Sequence, residues 1–168
     1  MMGCGAFRSF SSRSALLPRS ATAHEARRAV GNAPPPEICS LTLNKQIEVS
    51  GYVDSLANFY KAADVVVCPL RIGGGVKVKV LEALNAGKAI VSTSIGAQGL
   101  DLSTYPSVIV ADEVADFAEK VVRFLLDPQE RYRQEQQALA YASILPTWDQ
   151  STEAFVQCYK EMVDYRNR

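Results

Sequence analysis

Residues 65–70 read Val-Val-Val-Cys-Pro-Leu, an unbroken apolar run. A strand with one face in water alternates polar and apolar side chains, so a solid run marks a strand covered on both faces. Strands of that kind belong to parallel sheets with helices on each side, and the flanking sequence fits. Leu56, Phe59, Tyr60 and Ala63 form a helical stripe over 55–63. Val76, Val80, Ala83 and Leu84 form another over 76–86, which Gly87 can end. Residues 47–51 read as a strand stopped by Gly51, and 89–93 and 108–111 as two more strands. Asp112 is placed to cap a helix whose Phe117, Val121, Phe124 and Leu125 follow the i, i+4, i+7, i+8 pattern. Two further helical stretches, about 129–144 and 150–165, close the chain. Pro34, Pro35 and Pro36 exclude helix interior and central strand at that point.

Strands alternating with helices predict an α/β fold, a Rossmann-like parallel sheet flanked by helices and doubly wound through right-handed crossovers. In such sheets ligands sit beyond the carboxyl ends of the strands. The loop after residues 65–70 is therefore the first place to look for chemistry.

Composition closes several routes. The chain has 168 residues, 48% hydrophobic and 21% charged, which is ordinary for one globular domain. Lys plus Arg and Asp plus Glu number 18 each, but five arginines lie in residues 1–28 against the single acid Glu25. From residue 29 onward that leaves 13 basic and 17 acidic residues, a net charge of −4. A net-negative body argues against a nucleic-acid partner, which needs a basic face to displace phosphate counterions. The only histidine is His24, so Ser-His-Asp, Cys-His and HExxH chemistry in the body of the chain is excluded. Cys4, Cys39, Cys68 and Cys158 form no C-x-x-C pair, so neither a zinc site nor a disulfide framework is legible. That suits a reducing compartment, and the expected location is cytoplasmic. Cys68, inside the apolar run, reads as an inert buried thiol. No apolar stretch is long enough for an integral membrane segment. Residues 1–28, rich in Arg and Ser, are expected to be an unstructured leader. A transit peptide or a displaced reading frame would have the same composition.

The loop itself runs from Pro69 to Lys77 and holds Gly73, Gly74 and Gly75 in succession. Bare backbone N–H groups ahead of a helix, whose first-turn donors carry partial positive charge, suit an anion. Arg71, Lys77 and Lys79 add positive charge with no acid between Asp64 and Glu82. Phosphate fits better than carboxylate, because the glycines allow close approach. Neither a Walker pattern nor G-x-G-x-x-G is present, which disfavours a mononucleotide kinase or a nicotinamide enzyme. A plain strand-to-helix turn accounts for the glycines equally well. Glu82, two turns into a helix counted from Val76 and so about 10 Å from its start, can accept hydrogen bonds from a vicinal diol such as a ribose. It can equally pair with Lys79 at i−3 or stand in solvent.

Gly51-Tyr52-Val53-Asp54, then 63–70, the glycine loop, and Leu81-Glu82-Ala83-Leu84-Asn85-Ala86-Gly87 followed by 88–93 resemble glycosyltransferase family 4. The likeness is to the C-terminal, donor-binding half of the two-domain GT-B fold. Residues 30–38 and Gly96–Leu100 match one branch of the family, and the resemblance runs from about Ala29 to the C-terminus. It implies transfer of a sugar, hexosyl in type, from a nucleoside diphosphate sugar, with no separate cofactor and no metal. It places Glu82 at the second glutamate of the family's Glu-x7-Glu motif, against the donor ribose. The first glutamate falls on Gly74. It turns the backbone amides of Gly74, Gly75 and Val76 toward the diphosphate, with Gly73, Arg71 and Lys77 beside them. Tyr52 and Val53 fall where the family seats the base, although Tyr52 serves as well as a plain rim aromatic.

The resemblance also defines what is not present. Nothing in residues 1–28 resembles the family's N-terminal acceptor domain or the Arg/Lys pair that opens the donor domain. The expected organisation is a leader over 1–28 and a nucleotide-sugar-binding domain over 29–168, truncated, with no catalytic residue assigned and no turnover alone. A separate N-terminal acceptor domain is the expected partner. The alternative is a non-catalytic nucleotide-binding or partner-docking module derived from a glycosyltransferase. Phe155, Tyr159 and Met162 are expected to pack on the domain itself; without that packing they form an exposed apolar patch.

Overall fold

A computed structural model describes residues 14–18, by their backbone, and 27–166. Six strands form one sheet: β1 (Ser14–Pro18), β2 (Arg27–Val30), β3 (Ile47–Ser50), β4 (Ala63–Cys68), β5 (Ala89–Ser92) and β6 (Ile109–Val110). Their order is β3-β2-β1-β4-β5-β6. β2 and β3 pair in parallel, as do β4 with β5 and β5 with β6, whereas β1 is antiparallel to both β2 and β4. Five strands therefore share one direction and β1 alone runs against them.

The α/β reading holds, with two corrections. The sheet is not parallel throughout, because β1 lies between β2 and β4 in reverse. Residues 14–18 are also not an unstructured leader, since their backbone pairs on both sides, and β2 begins at Arg27. The rest of the proposed leader, 1–13 and 19–26, lies outside the described residues.

The apolar run behaves as its composition requires. Every residue of β4 is buried. Its side chains alternate between two clusters. Val66 and Cys68 face one cluster with Ile90, Tyr60, Val80, Ala83, Leu84, Ala138 and Tyr141, while Val65 and Val67 face the other with Ala89, Val91 and Phe124. The first layer is built by α2 (Ala57–Ala62), α3 (Val78–Asn85) and α5 (Pro128–Ala142), the second by α4 (Val114–Leu126). A short helix, α1 (Pro36–Cys39), follows the proline run and buries Ile38.

Three helical expectations shift. α3 opens at Val78, not Val76, because Lys77 is extended (φ −96°, ψ 108°) in the N-cap position. α4 takes Glu113, not Asp112, as its N-cap residue and has no side-chain cap. Asp112 Oδ1 instead accepts from the backbone N–H (2.9 Å) and hydroxyl (3.0 Å) of Ser94, tying together the loops after β5 and β6. The last helix, α6 (Trp148–Arg166), buries no residue. Phe155, Tyr159 and Met162 are 66%, 56% and 54% exposed, so the expected packing on the domain is absent and the apolar stripe faces outward. Among the described residues, no helix is long and apolar enough to cross a membrane.

Candidate functional site

The five co-directional strands bring their carboxyl ends to one edge, where the loops after β3, β4, β5 and β6 emerge. Two of these loops are fastened together. Thr93, just after β5, donates its hydroxyl to the Leu70 carbonyl at 2.5 Å and accepts the Gly96 N–H at 3.1 Å. A Cβ on Gly96 would collide with Ser92 Oγ and approach the Cys68 carbonyl to 2.8 Å, so only glycine fits this close backbone crossing. Beneath it, burial pushes the Cys68 thiol above its ordinary 9.0, against smaller opposing pulls from Lys79, the Ser92 hydrogen bond and Lys77. That agrees with an inert thiol.

The glycine loop is exposed. Gly75 adopts φ +68°, a left-handed backbone that favours glycine, and nothing lies within 4 Å of where a Cβ on it or on Gly74 would stand. Lys77 curls back over the loop, its Nζ 2.9 Å from the Gly74 carbonyl and 2.5 Å from the Gly75 carbonyl. The carbonyls are thus held on one ammonium. Among the described residues nothing accepts from the N–H groups of Gly73, Gly74, Gly75 or Val76. The first turn of α3 has neither a side-chain cap nor an acid. The loop therefore presents backbone donors and the positive end of a helix on its outer side, with Arg71 exposed nearby. Two of the three N–H donors of Lys77 are engaged by the loop itself, so it organises the loop as well as supplying charge.

Glu82 is the fifth residue of α3, about 6 Å from the helix start, closer than counting from Val76 placed it. It is partly exposed and does not point into the core. Its Oε2 accepts from the hydroxyl of Tyr60 at 3.1 Å. Tyr60, 5% exposed, packs its ring into the core and brings only its polar tip to the surface. Glu82 and Tyr60 line an open groove of about 700 Å³ between α2 and α3, together with Lys61, Asn85, Lys88 and Glu135. Lys88, 5% exposed, donates to the Ala63 carbonyl at 3.0 Å and the Lys61 carbonyl at 3.4 Å, just where α2 ends.

Of the residues singled out from sequence, Glu82 lines this groove. Arg71, Gly73, Gly74, Gly75, Val76 and Lys77 surround the adjoining loop at the head of the same helix. Tyr52 and Val53 lie on the loop entering α2; Tyr52 is 73% exposed, while Val53 packs against the core. Sequence reasoning missed Tyr60, Lys88 and Thr93. Tyr60 carried a signal, being a phenol in an otherwise apolar helical stripe, whereas Lys88 and Thr93 differ in no visible way from surface polar residues.

The domain is α/β with a glycine loop at the carboxyl end of β4, and comparison with known proteins finds its fold similar to that of GT-B glycosyltransferases. Residues 16–127 match the family model described as glycosyl transferases group 1, two thirds of the chain, and the chain belongs to that family. The match begins within β1. Among solved structures, the chain is similar to WaaG, a glycosyltransferase involved in lipopolysaccharide biosynthesis, with a TM-score of 0.64 at 17% identity over 76% of this chain. It is similar to sucrose-phosphate synthase from Thermosynechococcus elongatus, with a TM-score of 0.67 at 16% identity over 82% of this chain. It is also similar to the C-terminal domain of a glycosyl transferase group 1 family protein from Francisella tularensis, with a TM-score of 0.52 at 22% identity over 64% of this chain and 57% of that one. At such identities the likeness is one of fold. The chain spans 36% and 38% of the length of the first two. No curated protein sequence matches it.

Proposed function

We propose that this chain is the donor-binding half of a glycosyltransferase and takes a nucleoside diphosphate sugar. The observation that carries the reading is Glu82, held part-exposed one turn behind a helix end whose glycine loop offers free N–H groups. In this reading the amides of Gly74, Gly75 and Val76, with Gly73, Arg71 and Lys77, receive the diphosphate. Glu82 receives the ribose hydroxyls, and Tyr52 and Val53 flank the base. As the sugar leaves, negative charge grows on the diphosphate, and preorganised amides and cations stabilise it there. No general base is assigned in this chain.

A carboxylate–diol contact is worth about 1.5–3 kcal/mol as a hydrogen bond to a charged group. The exposed helix end adds about 0.3–1 kcal/mol. The sum, about 2–4 kcal/mol, corresponds to binding no tighter than roughly millimolar. By this sum the chain binds nucleoside diphosphates weakly. The acceptor site and remaining catalytic groups come from a second, N-terminal domain, for which the outward apolar stripe of α6 is the contact in this reading.

Ligand-observed NMR with UDP, GDP and ADP tests the binding. One of the three should give saturation transfer that Glu82→Gln strongly reduces; an unchanged signal in that variant refutes the ribose assignment. Binding that persists while a supplied N-terminal domain restores no transfer would favour a non-catalytic nucleotide-binding module.

A further inference from the structure

We infer that Tyr60 is a positioning residue that sets Glu82 for a ribose diol and links the two ligand loops. The inference rests on the donor-site reading above and adds a residue and a selectivity to it. Tyr60 Oη lies 3.1 Å from Glu82 Oε2 and 3.2 Å from the Lys79 carbonyl. The hydroxyl has one proton, and between a neutral carbonyl and a carboxylate the charged acceptor makes the stronger bond. Tyr60 cannot follow a moving carboxylate, because its ring is packed in the core with Val80, Ala83 and Leu84. Glu82, on an exposed face of α3, has several rotamers open to it, and a fixed phenol selects one of them.

The consequence is specific. A carboxylate has about four lone-pair sites. Tyr60 occupies one on Oε2 and leaves Oε1 and the second site of Oε2 for two adjacent hydroxyls. Tyr60 also lies on α2, directly after the loop carrying Tyr52 and Val53, whereas Glu82 lies on α3, directly after the glycine loop. The Tyr60–Glu82 hydrogen bond thus joins the helices that follow the proposed base and phosphate loops, at the level where the pentose would sit. The site accordingly selects ribonucleotides over 2′-deoxyribonucleotides, and Tyr60 sharpens that choice without itself touching the sugar.

Tyr60→Phe keeps the ring in the core and removes only the hydroxyl. The test measures affinities for UDP, GDP and ADP and their 2′-deoxy counterparts by NMR titration, for wild type, Tyr60→Phe, Glu82→Gln and the double variant. Wild type should prefer the ribose form of its nucleotide about tenfold. Tyr60→Phe should cut that preference to about two- to threefold while leaving the deoxy affinity in place. Glu82→Gln should abolish the preference, and adding Tyr60→Phe should change nothing further. A merely structural tyrosine would lower both affinities equally. A wild-type preference retained in Tyr60→Phe overturns the role of Tyr60 alone. Equal affinity of wild type for both sugars overturns the ribose assignment of Glu82, and this role with it.

Discussion

Replacing Gly87 by alanine tests how the end of α3 is held, and the structure supplies the magnitude. Gly87 stands at φ +62° just past the helix. Its N–H donates to the Leu84 carbonyl at 2.9 Å, and that of Lys88 reaches back to Ala83 at 3.0 Å, the double closure that ends a helix on a left-handed residue. Alanine in that conformation costs about 1–2 kcal/mol more than glycine. Its Cβ would also fall 2.8 Å from Leu139 Cδ2 and 2.9 Å from Leu139 Cγ, on α5. Leu139 is 44% exposed, so its tip can retreat, and overpacking adds only about 1 kcal/mol. The total, roughly 2–3 kcal/mol, lowers Tm by about 4–12 °C for a chain of this size. Urea unfolding followed by far-UV circular dichroism reads the loss directly. In a double-mutant cycle, Leu139→Ala should recover about 1 kcal/mol through coupling and leave the backbone part. An alanine variant as stable as the parent, or one fully rescued by Leu139→Ala, would refute the backbone account.

Two further outcomes follow from titratable groups. Asp101 accepts hydrogen bonds from the Ser103 hydroxyl and the Thr104 backbone, which hold its carboxyl below the ordinary 3.8. A depressed folded value means that its contribution to stability is present above the unfolded pKa and is lost as pH falls through the folded one. Carboxyl-carbon NMR should show a midpoint under 3.8 that rises in Ser103→Ala; an unmoved midpoint would contradict the assigned cause. Cys68 is buried while Cys39 and Cys158 are exposed. Iodoacetamide mapping by mass spectrometry should therefore modify Cys39 and Cys158 in the native protein and reach Cys68 only on unfolding, whereas native labelling of Cys68 would contradict its burial.

How much was legible from sequence depended on whether the cause of a feature lay within it. β4 and β5 were visible because strands covered on both faces are built mainly of apolar residues, here 65–68 and 89–91. The end of α3 was visible because a left-handed closure favours glycine, and Gly87 stood there. β1 was not, since residues 14–18 have no pattern that distinguishes them from the Arg- and Ser-rich sequence around them. Their strand character comes from pairing with β2, the next strand, and with β4, much further along the chain. Asp112 had the right residue type for a cap but found a stronger tertiary partner in Ser94. The stripe of α6 was legible as amphipathic, yet an apolar stripe does not name what it packs against.

At the candidate site, the chemistry of each residue type was readable and its partner was not. Lys77 reads as a cation for a phosphate, and its ammonium folds onto the carbonyls of its own loop. Glu82 reads as a ribose acceptor or as half of an ion pair with Lys79. The structure supplies a different partner, Tyr60, which sequence spacing had assigned only to the core.

The central claim is that one pocket spans the free amides of the glycine loop and the Glu82 carboxylate, and amide-resolved NMR addresses it most directly. The isotope-labelled chain, titrated with UDP, GDP and ADP, should show for one of them saturable shifts at Gly74, Gly75, Val76 and Val78 together with Glu82. Saturable shifts confined to α6 or to residues 101–105, with the glycine-loop amides unmoved, would contradict it.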